Sequence, residues 1–276
     1  MKLSTKLLSA FLAVTLLLSL AGCGGKNEPA KEKLTAIADL ETEKLAAQRG
    51  TIGHILAEEL VGEENVDNVT TYEKYVDAVT SLEQGKVRAV IMDERPAKRF
   101  VEEKGNMIIM EEPLSNESYA IALKKGNDEL KARIDAALDE MKADGSLQSI
   151  IDKYNSDVEV KPEDIDLNTG AAGGTLIMGT EAGFAPYELK VGDGYIGIDV
   201  EMAAAIAKKM DMELVIENMN FDSLPSAVNS GKVDMIVAGL TVTPEREENM
   251  TFSVAYVEDA RQVALVMSDD YAASDK

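Results

Sequence analysis

The sequence predicts an α/β protein in which two units each fold a mostly parallel sheet flanked by helices. Three observations carry this expectation. Short apolar strands alternate with amphipathic helices from about residue 34 onward. Two of the strands, VRAVIM (87–92) and VDMIVAGL (233–240), are continuous apolar runs, as strands covered on both faces are. Residues 156–174 collect Pro, acids and Gly without periodicity, which reads as a linker between the two units.

Element by element, residues 44–49 and 67–72 read as short strands, with a helix at 53–61 between them. A helix at 72–84 places Tyr75, Val76, Val79 and Leu82 on one buried face. Strand 87–92 follows. The next helix carries Pro96 near its first turn and stops at Gly105. Strands are expected at 107–110 and 118–125, then helices at 127–143 and 145–154. The second unit opens with strand 176–180 and a helix at 199–210 capped by Asp199. Strand 213–219, a short helix at 221–232, strand 233–240, a short helix from Pro244 and strand 261–267 complete it.

Composition excludes several function classes. The 276 residues carry 50 acidic and 28 basic side chains, a formal net charge of −22. Nucleic-acid binding needs clustered Lys and Arg, so no nucleic-acid partner is expected. A single Cys rules out an intrachain disulfide framework and a Cys-cluster zinc site. One His leaves little basis for Ser/His/Asp or Cys/His catalysis. No cofactor and no metal are expected. The 45% hydrophobic content suffices for a folded core.

The N-terminus reads as an export signal. Lys2 and Lys6 precede an apolar run at 7–20, shorter than the roughly 20 residues of a membrane span and suited to a signal core. The run ends in Leu20-Ala21-Gly22-Cys23, which resembles the lipobox of bacterial lipoproteins. The resemblance implies a signal peptide over 1–22, lipidation of Cys23 and a flexible tether over 23–33. It implies an extracytoplasmic body anchored through Cys23 to the lipid bilayer of the bacterial cell membrane.

One motif misleads. Gly192 to Gly197 fits GxGxxG, and Glu217 lies downstream as in a dinucleotide-binding fingerprint. That site needs the helix to open within the glycines, so that backbone N–H groups face a pyrophosphate. Here Asp193-Gly194 stands between YELKV and YIGI, which is a hairpin signal.

Longer stretches carry a resemblance. These are GTEAGFAPYE (179–188), GYIGIDVEMAAAIAKKM (194–210), MNFDSLPSAVNSGKVDMIVAGLTVTPERE (219–247) and FSVAY (252–256) in the second unit. In the first they are IADLETEKLAAQRGTIG (37–53), LEQGKVRAVIMDERPAKRFV (82–101), PLSNESYAIALKKGNDEL (113–130) and DEMKADGSLQSIIDKY (139–154). Together they resemble the type II periplasmic solute-binding proteins of polar amino-acid ABC importers, the bacterial extracellular solute-binding proteins of family 3. The resemblance implies a two-lobed periplasmic-binding-protein fold whose lobes are joined by two crossing strands. It implies a monomer that captures a free amino acid and delivers it to the membrane subunits of an ABC permease, without enzymatic turnover. An extracellular amino-acid sensor and, more remotely, a dehydratase on the same fold are the alternatives it leaves open.

The resemblance also assigns a site. A zwitterion needs a cation for its carboxylate and an anion for its ammonium. Arg246, in the family's TPER motif, matches the carboxylate ligand, and a guanidinium fork suits that group. Thr241 adds a hydroxyl and a backbone donor, and the Gly239 carbonyl accepts from the ammonium. Thr51 and the backbone of Ile52 match a carboxylate-binding loop at a helix N-terminus. Asp93 matches the ammonium ligand. Phe184 and Phe221 match aromatic walls that hold the ligand between rings. Glu181 stands where family members place a polar or acidic contact to the ligand side chain, which favours a cationic or amide amino acid. Gln48 and Thr180 are expected at the pocket edge, and the lone His54 as a solvent-facing first-turn residue.

The order of these stretches departs from the family. There the segment like GTEAGF lies near the mature N-terminus and the segment like DGSLQSIIDKY closes the chain. Here the closing segment comes first, so the chain reads as a circular permutation, with residues 156–174 joining the old ends. Lobe 2 is then expected over 34–118 with a hinge and strand at 256–276. Lobe 1 takes its parts from 119–155 and 175–255.

Overall fold

The computed structural model describes residues 32–156, 158–167 and 172–273. The chain divides into a unit ending at Glu32 and a unit over Lys33–Lys276. The expected signal peptide and the lipidation expected at Cys23 lie outside the described residues. Among the described residues no helix is long and apolar enough to cross a membrane.

The larger unit is a two-lobed α/β fold. Its first half contributes β1 (Leu45–Gln48), α1 (Ile52–Val61), β2 (Val69–Tyr72), α2 (Tyr75–Glu83), β3 (Ala89–Asp93), α3 (Glu94–Lys104), β4 (Met107–Ile109), β5 (Ser115–Tyr119) and β6 (Ala122–Lys124). Helices α4 (Asp128–Ala143) and α5 (Ser146–Tyr154) follow. After the linker come β7 (Thr175–Thr180), β8 (Gly183–Phe184), β9 (Glu188–Val191), β10 (Gly194–Ile196), α6 (Ile198–Lys209) and β11 (Glu213–Asn218). The chain ends with α7 (Leu224–Ser230), β12 (Met235–Ile236), α8 (Pro244–Asn249), β13 (Met250–Phe252) and β14 (Val257–Met267).

Beside a small antiparallel sheet of β8, β9 and β10, two large sheets organise the strands. In one, the order is β2-β1-β3-β14-β4, with β5 also paired to β14. β1 is parallel to β2 and β3, while β14 runs antiparallel to β3, β4 and β5. In the other, the order is β11-β7-β12-β6-β13, parallel from β11 to β12 and antiparallel at β6. The strand RQVALVM therefore belongs to the sheet of the first half, although some 170 residues separate Gln262 from its register partner Asp93. That pairing is non-local and brings the end of the chain back to its beginning.

The period of two in the strands decides which helix covers which face. Leu45, Ala47, Ala89, Ile91, Ala264 and Val266 bury against Ala57 and Val61 of α1. Their neighbours Ala46, Val90, Met92, Val263 and Leu265 face the opposite way, into the cluster holding Ala78, Val79 and Leu82 of α2 and Ala97 of α3. In the second sheet, Leu176, Met178 and Met235 pack with Ile198, Met202 and Ile206 of α6 and with Ile134 and Leu138 of α4. Ile236 and Ala238 turn to Leu224 and Val228 of α7. Helix α1 approaches β3 closely at Gly53, where an added Cβ would stand 2.6 Å from the Ile91 carbonyl oxygen.

Several elements differ from the sequence reading, for identifiable reasons. The single strand expected at 118–125 is two strands in two sheets: Tyr119 pairs with Val257 in the first, Ala122 with Ile236 and Phe252 in the second. An apolar run does not reveal a change of partner. The strand expected at 233–240 pairs only over Met235–Ile236, because Ala238 to Thr241 leave the ladder, with Gly239 at φ +53. β14 begins at Val257 rather than Arg261 and carries an irregularity before Ala260, where Asp259 takes φ +72. Asp199 does not cap α6. Gly197 holds that position, and Asp199 is turned inward and fully buried. Val76 is 51% exposed, and Ala78 and Ser81 take the buried positions of α2 instead. The hairpin of β9 and β10 turns on Gly192-Asp193, with Gly194 already paired to Val191.

Two features tie the unit together. The linker packs where it is described: Ile165 is buried, and Pro162 lies against Gly194. The two ends of the unit run side by side, with Leu34 N–H donating to the Asp270 carbonyl at 2.8 Å and Ala272 N–H to the Leu34 carbonyl at 2.9 Å. Beneath them the buried Arg88 guanidinium ion-pairs with Asp270 at 2.7 Å.

Candidate functional site

A cavity of about 320 Å³ lies where the two lobes meet. The first lobe supplies its lining from the end of β1, the loop after it and the start of α1, from α2, from the end of β3 and from the middle of β14: Gln48, Thr51, Ile52, Tyr75, Asp93 and Gln262. The second lobe supplies Glu181, Phe184, Glu188, Phe221, Ala238, Gly239, Thr241 and Arg246. All nine ligand-site residues expected from the sequence thus line one cavity. Gln48 lines it too, whereas Thr180 is buried outside the lining. His54 also stays outside, with its ring Nε2 3.1 Å from Glu58 Oε1.

Asp93 owes its place to the end of a buried parallel strand. It occupies the N-cap position of α3 yet makes no side-chain cap bond. Its carboxylate points into the cavity and collects donors. Oδ1 accepts from the Tyr119 hydroxyl and, at 2.8 Å, from Gln262 Nε2, while Oδ2 accepts from Tyr75 Oη at 3.4 Å. Gln262 can do this because it stands directly opposite Asp93 in the β3–β14 ladder. Burial raises the carboxyl to about 7, helped by the charge of Glu117, against the lowering effect of the Tyr119 and Gln262 hydrogen bonds.

Arg246 is placed by the short helix α8, whose N-cap Thr243 accepts the Arg246 N–H at 3.1 Å. Its Nη1 donates to the Thr241 carbonyl at 2.8 Å and its Nη2 crosses to the Gly50 carbonyl of the other lobe at 3.1 Å. The guanidinium lies 5.9 Å from the centroid of the Phe221 ring. Burial weakens its basicity, and Glu117 and Asp93 oppose that effect. An Arg so placed remains a cation.

Two expectations need adjustment. The Thr241 hydroxyl donates to Glu117 Oε2 at 2.7 Å, so its hydrogen is turned to the crossing strand β5 rather than to the cavity. Phe184 and Phe221 both line the cavity, but Phe184 stacks between Tyr75 (5.7 Å) and Tyr187 (5.5 Å), while Phe221 underlies Arg246. Tyr75 therefore joins Phe184 and Phe221 as the third aromatic residue of the cavity lining. Thr51 keeps its N-cap role: its Oγ1 accepts from His54 N–H at 3.2 Å, which sets the N-terminus of α1 at the cavity beside Ile52.

Glu181 is buried rather than at a solvent rim. Gln48 Nε2 lies 3.4 Å from its Oε2, and desolvation raises its pKa. Sequence reasoning missed four contributors: Tyr75 and Tyr119, taken for strand or core residues, and Gln262 and Glu188. The last two carry no local signal: Gln262 follows Arg261 in β14, and Glu188 opens β9, which also holds Lys190. Among the described residues no group of three or more His, Cys, Asp or Glu is arranged to hold a metal ion.

Residues 38–157 and 176–273 match the bacterial extracellular solute-binding proteins, family 3. The chain belongs to this family. Among curated relatives, this family-3 chain is 45% identical over 91 residues to the arginine-binding extracellular protein ArtP of Bacillus subtilis (strain 168), covering 32% of this chain and 36% of that protein. It is 37% identical over 82 residues to a probable histidine-binding protein of Campylobacter jejuni, covering 30% and 32%. A solved structure of an ancestral arginine-binding protein bound to glutamine matches at 43% identity, covering 28% of this chain and 34% of that one, with a TM-score of 0.27. The chain thus spans about a third of the length of the relatives it matches.

Proposed function

We propose that this protein captures a cationic amino acid, with L-arginine as the leading candidate, and delivers it to an ABC permease while tethered to the membrane through lipidated Cys23. The observation that carries the substrate class is the charge of the cavity lining. Its one basic side chain, Arg246, faces three acids: Asp93, Glu181 and Glu188. Arg246 meets the ligand carboxylate with a guanidinium fork. Asp93 meets the ammonium, and its surrounding hydroxyl and amide donors hold the carboxylate in place for it. Glu181 then remains for a charged side chain, because Glu188 is engaged within its own lobe. An uncompensated buried anion is costly, so a ligand that brings a second cation relieves a penalty that a neutral one leaves. Relatives named for arginine and histidine support the same class. No reaction is involved; the two lobes enclose the ligand and release it.

Competitive calorimetry on residues 24–276 with L-arginine, L-lysine, L-ornithine, L-histidine, L-glutamine, L-glutamate and L-aspartate tests this. L-Arginine, L-lysine or L-ornithine should bind at least tenfold more tightly than the acidic pair, about 1.4 kcal/mol or more. Tight L-glutamate or L-aspartate binding with no response to the cationic set would overturn the reading.

The proposal includes the circularly permuted order. Support comes from the pairing of β14 with β3, β4 and β5, and from the adjacency of Leu34 to Asp270 and Ala272. Ends that lie side by side can be joined, and new ends opened elsewhere, without disturbing the core. A chain that runs 175–276, then 34–155, should fold with unchanged ligand affinity. Failure of that chain to fold, while the native order folds, would count against it.

A further inference from the structure

We infer that Glu188 and Asp199 share a single proton within lobe 1 and act as a positioning pair, fixing the Gly239 loop and the Tyr256 crossing segment against the cavity. The inference rests on the binding role proposed above. Glu188 opens β9 and Asp199 sits in the first turn of α6, and both are almost completely buried, at 1% and 0% exposure. Asp199 Oδ2 is well supplied: it accepts the Gly239 N–H at 2.8 Å and the Tyr256 hydroxyl at 2.9 Å. Asp199 Oδ1 and Glu188 Oε2 meet no donor among the described residues. The backbone sets the two residues side by side, since the Asp199 N–H donates to the Tyr187 carbonyl at 2.9 Å, and the negative charge of Asp199 bears directly on Glu188.

Two ionised carboxylates are acceptors only, so such close neighbours require a proton. The donors on Asp199 stabilise its anion, which leaves the proton on Glu188. The surroundings agree. Burial and the negative charges of Asp199, Glu181 and Asp93 push Glu188 well above the usual carboxylate range. Tyr187 and Tyr256 also face the pair, and the Arg95 guanidinium lies over the Tyr187 ring at 5.9 Å from its centroid.

The pair is attached to two parts of the site. Gly239 is held at φ +53 between the Asp199 carboxylate and Phe184, where an added Cβ would stand 2.7 Å from the ring. Tyr256 belongs to the segment that carries the chain from β13 in one sheet to β14 in the other. A second negative charge on the pair would repel the first in a dry wall and loosen both attachments.

Infrared spectroscopy of the full chain in detergent at pH 8 tests this without any ligand. The wild type should show the carbonyl stretch of an un-ionised, buried carboxylic acid. Glu188→Gln should remove the band, and Asp93→Asn should leave it. A wild type without the band, or a band that survives Glu188→Gln, overturns the proposal. Should Glu188→Gln fold poorly, Asp199→Asn serves as the second variant: its amide can donate to an ionised Glu188, so the band should vanish there too, and its persistence overturns the proposal. In parallel, L-arginine affinity of the wild type should fall about tenfold per pH unit once the pair loses its proton, and Glu188→Gln should lack that component. An identical alkaline profile in both proteins also overturns the positioning role. If L-arginine gives no binding at any pH while the band behaves as described, the binding reading fails and the shared proton stands.

Discussion

Two buried acid clusters border the same cavity and handle the same electrostatic problem in opposite ways. Around Asp93, on the first sheet, three neutral donors converge: the hydroxyls of Tyr119 and Tyr75 and the amide of Gln262. Around Glu188, on the second lobe, a second carboxyl group takes the place of the donors. Hydroxyls and amides stabilise an anion while leaving its charge available, so the Asp93 cluster can receive a cation. A shared proton cancels the charge of one member, so the Glu188 cluster has little to offer a cation and serves the scaffold. The difference lies in the neighbours that the surrounding strands and helices bring, not in the acid itself.

The strongest challenge to this contrast is removal of the ligand-facing charges. Asp93→Ala and Arg246→Ala should each weaken L-arginine binding by about 2–5 kcal/mol, since each leaves a buried charge without its partner. Urea unfolding should show the fold retained. Near-wild-type affinity in either variant would erase the distinction between the clusters.

Glu181→Gln asks whether a third acid belongs with Asp93 or with the scaffold. L-Arginine affinity should drop by roughly 1.5–3 kcal/mol, the range for hydrogen bonds to charged groups, while L-glutamine affinity should stay level or improve. Equal losses for both ligands would assign Glu181 to the scaffold. The smallest effect should come from Tyr119→Phe, which removes one of the donors on Asp93. A loss of about 0.5–1.5 kcal/mol in L-arginine binding and an upward shift of the Asp93 titration are expected. Carboxylate carbon chemical shifts followed against pH check the second part.

Much of this architecture was legible in the sequence, and the limits are physical. Alternation of apolar strands and helices gave the fold class, because two-sided burial leaves continuous runs such as VRAVIM. The ends of elements were harder. Ala238 to Thr241 continue an apolar pattern yet leave the ladder, since Gly239 can take a left-handed backbone and the cavity needs that bend. The break between Tyr119 and Ala122 was hidden because both sheets accept the same residue types. The candidate site residues came from family resemblance, and the structure gathers them. Their partners were less visible: Gln262 meets Asp93 only through a long-range antiparallel register, and no local spacing encodes such a contact. Asp199 reads as a helix cap, and Glu188 carries no local signal. Their mutual burial is a tertiary fact.

In the proposed function Asp93 is the group that receives the ligand ammonium. With its carboxyl at about 7, the folded protein holds a proton there that the unfolded chain releases near pH 4, so stability should decline as pH rises from about 4 to 7. Binding an ammonium favours the ionised form, so affinity moves the other way. Titration of L-arginine into residues 24–276 at pH 5.5, 6.5, 7.5 and 8.0 measures it. Affinity should strengthen as pH rises, approaching tenfold per unit below about 7 and levelling above it, and Asp93→Asn should bind weakly with this pH dependence gone. Affinity independent of pH across that range, or an Asp93→Asn variant that binds as the wild type does, would contradict the account.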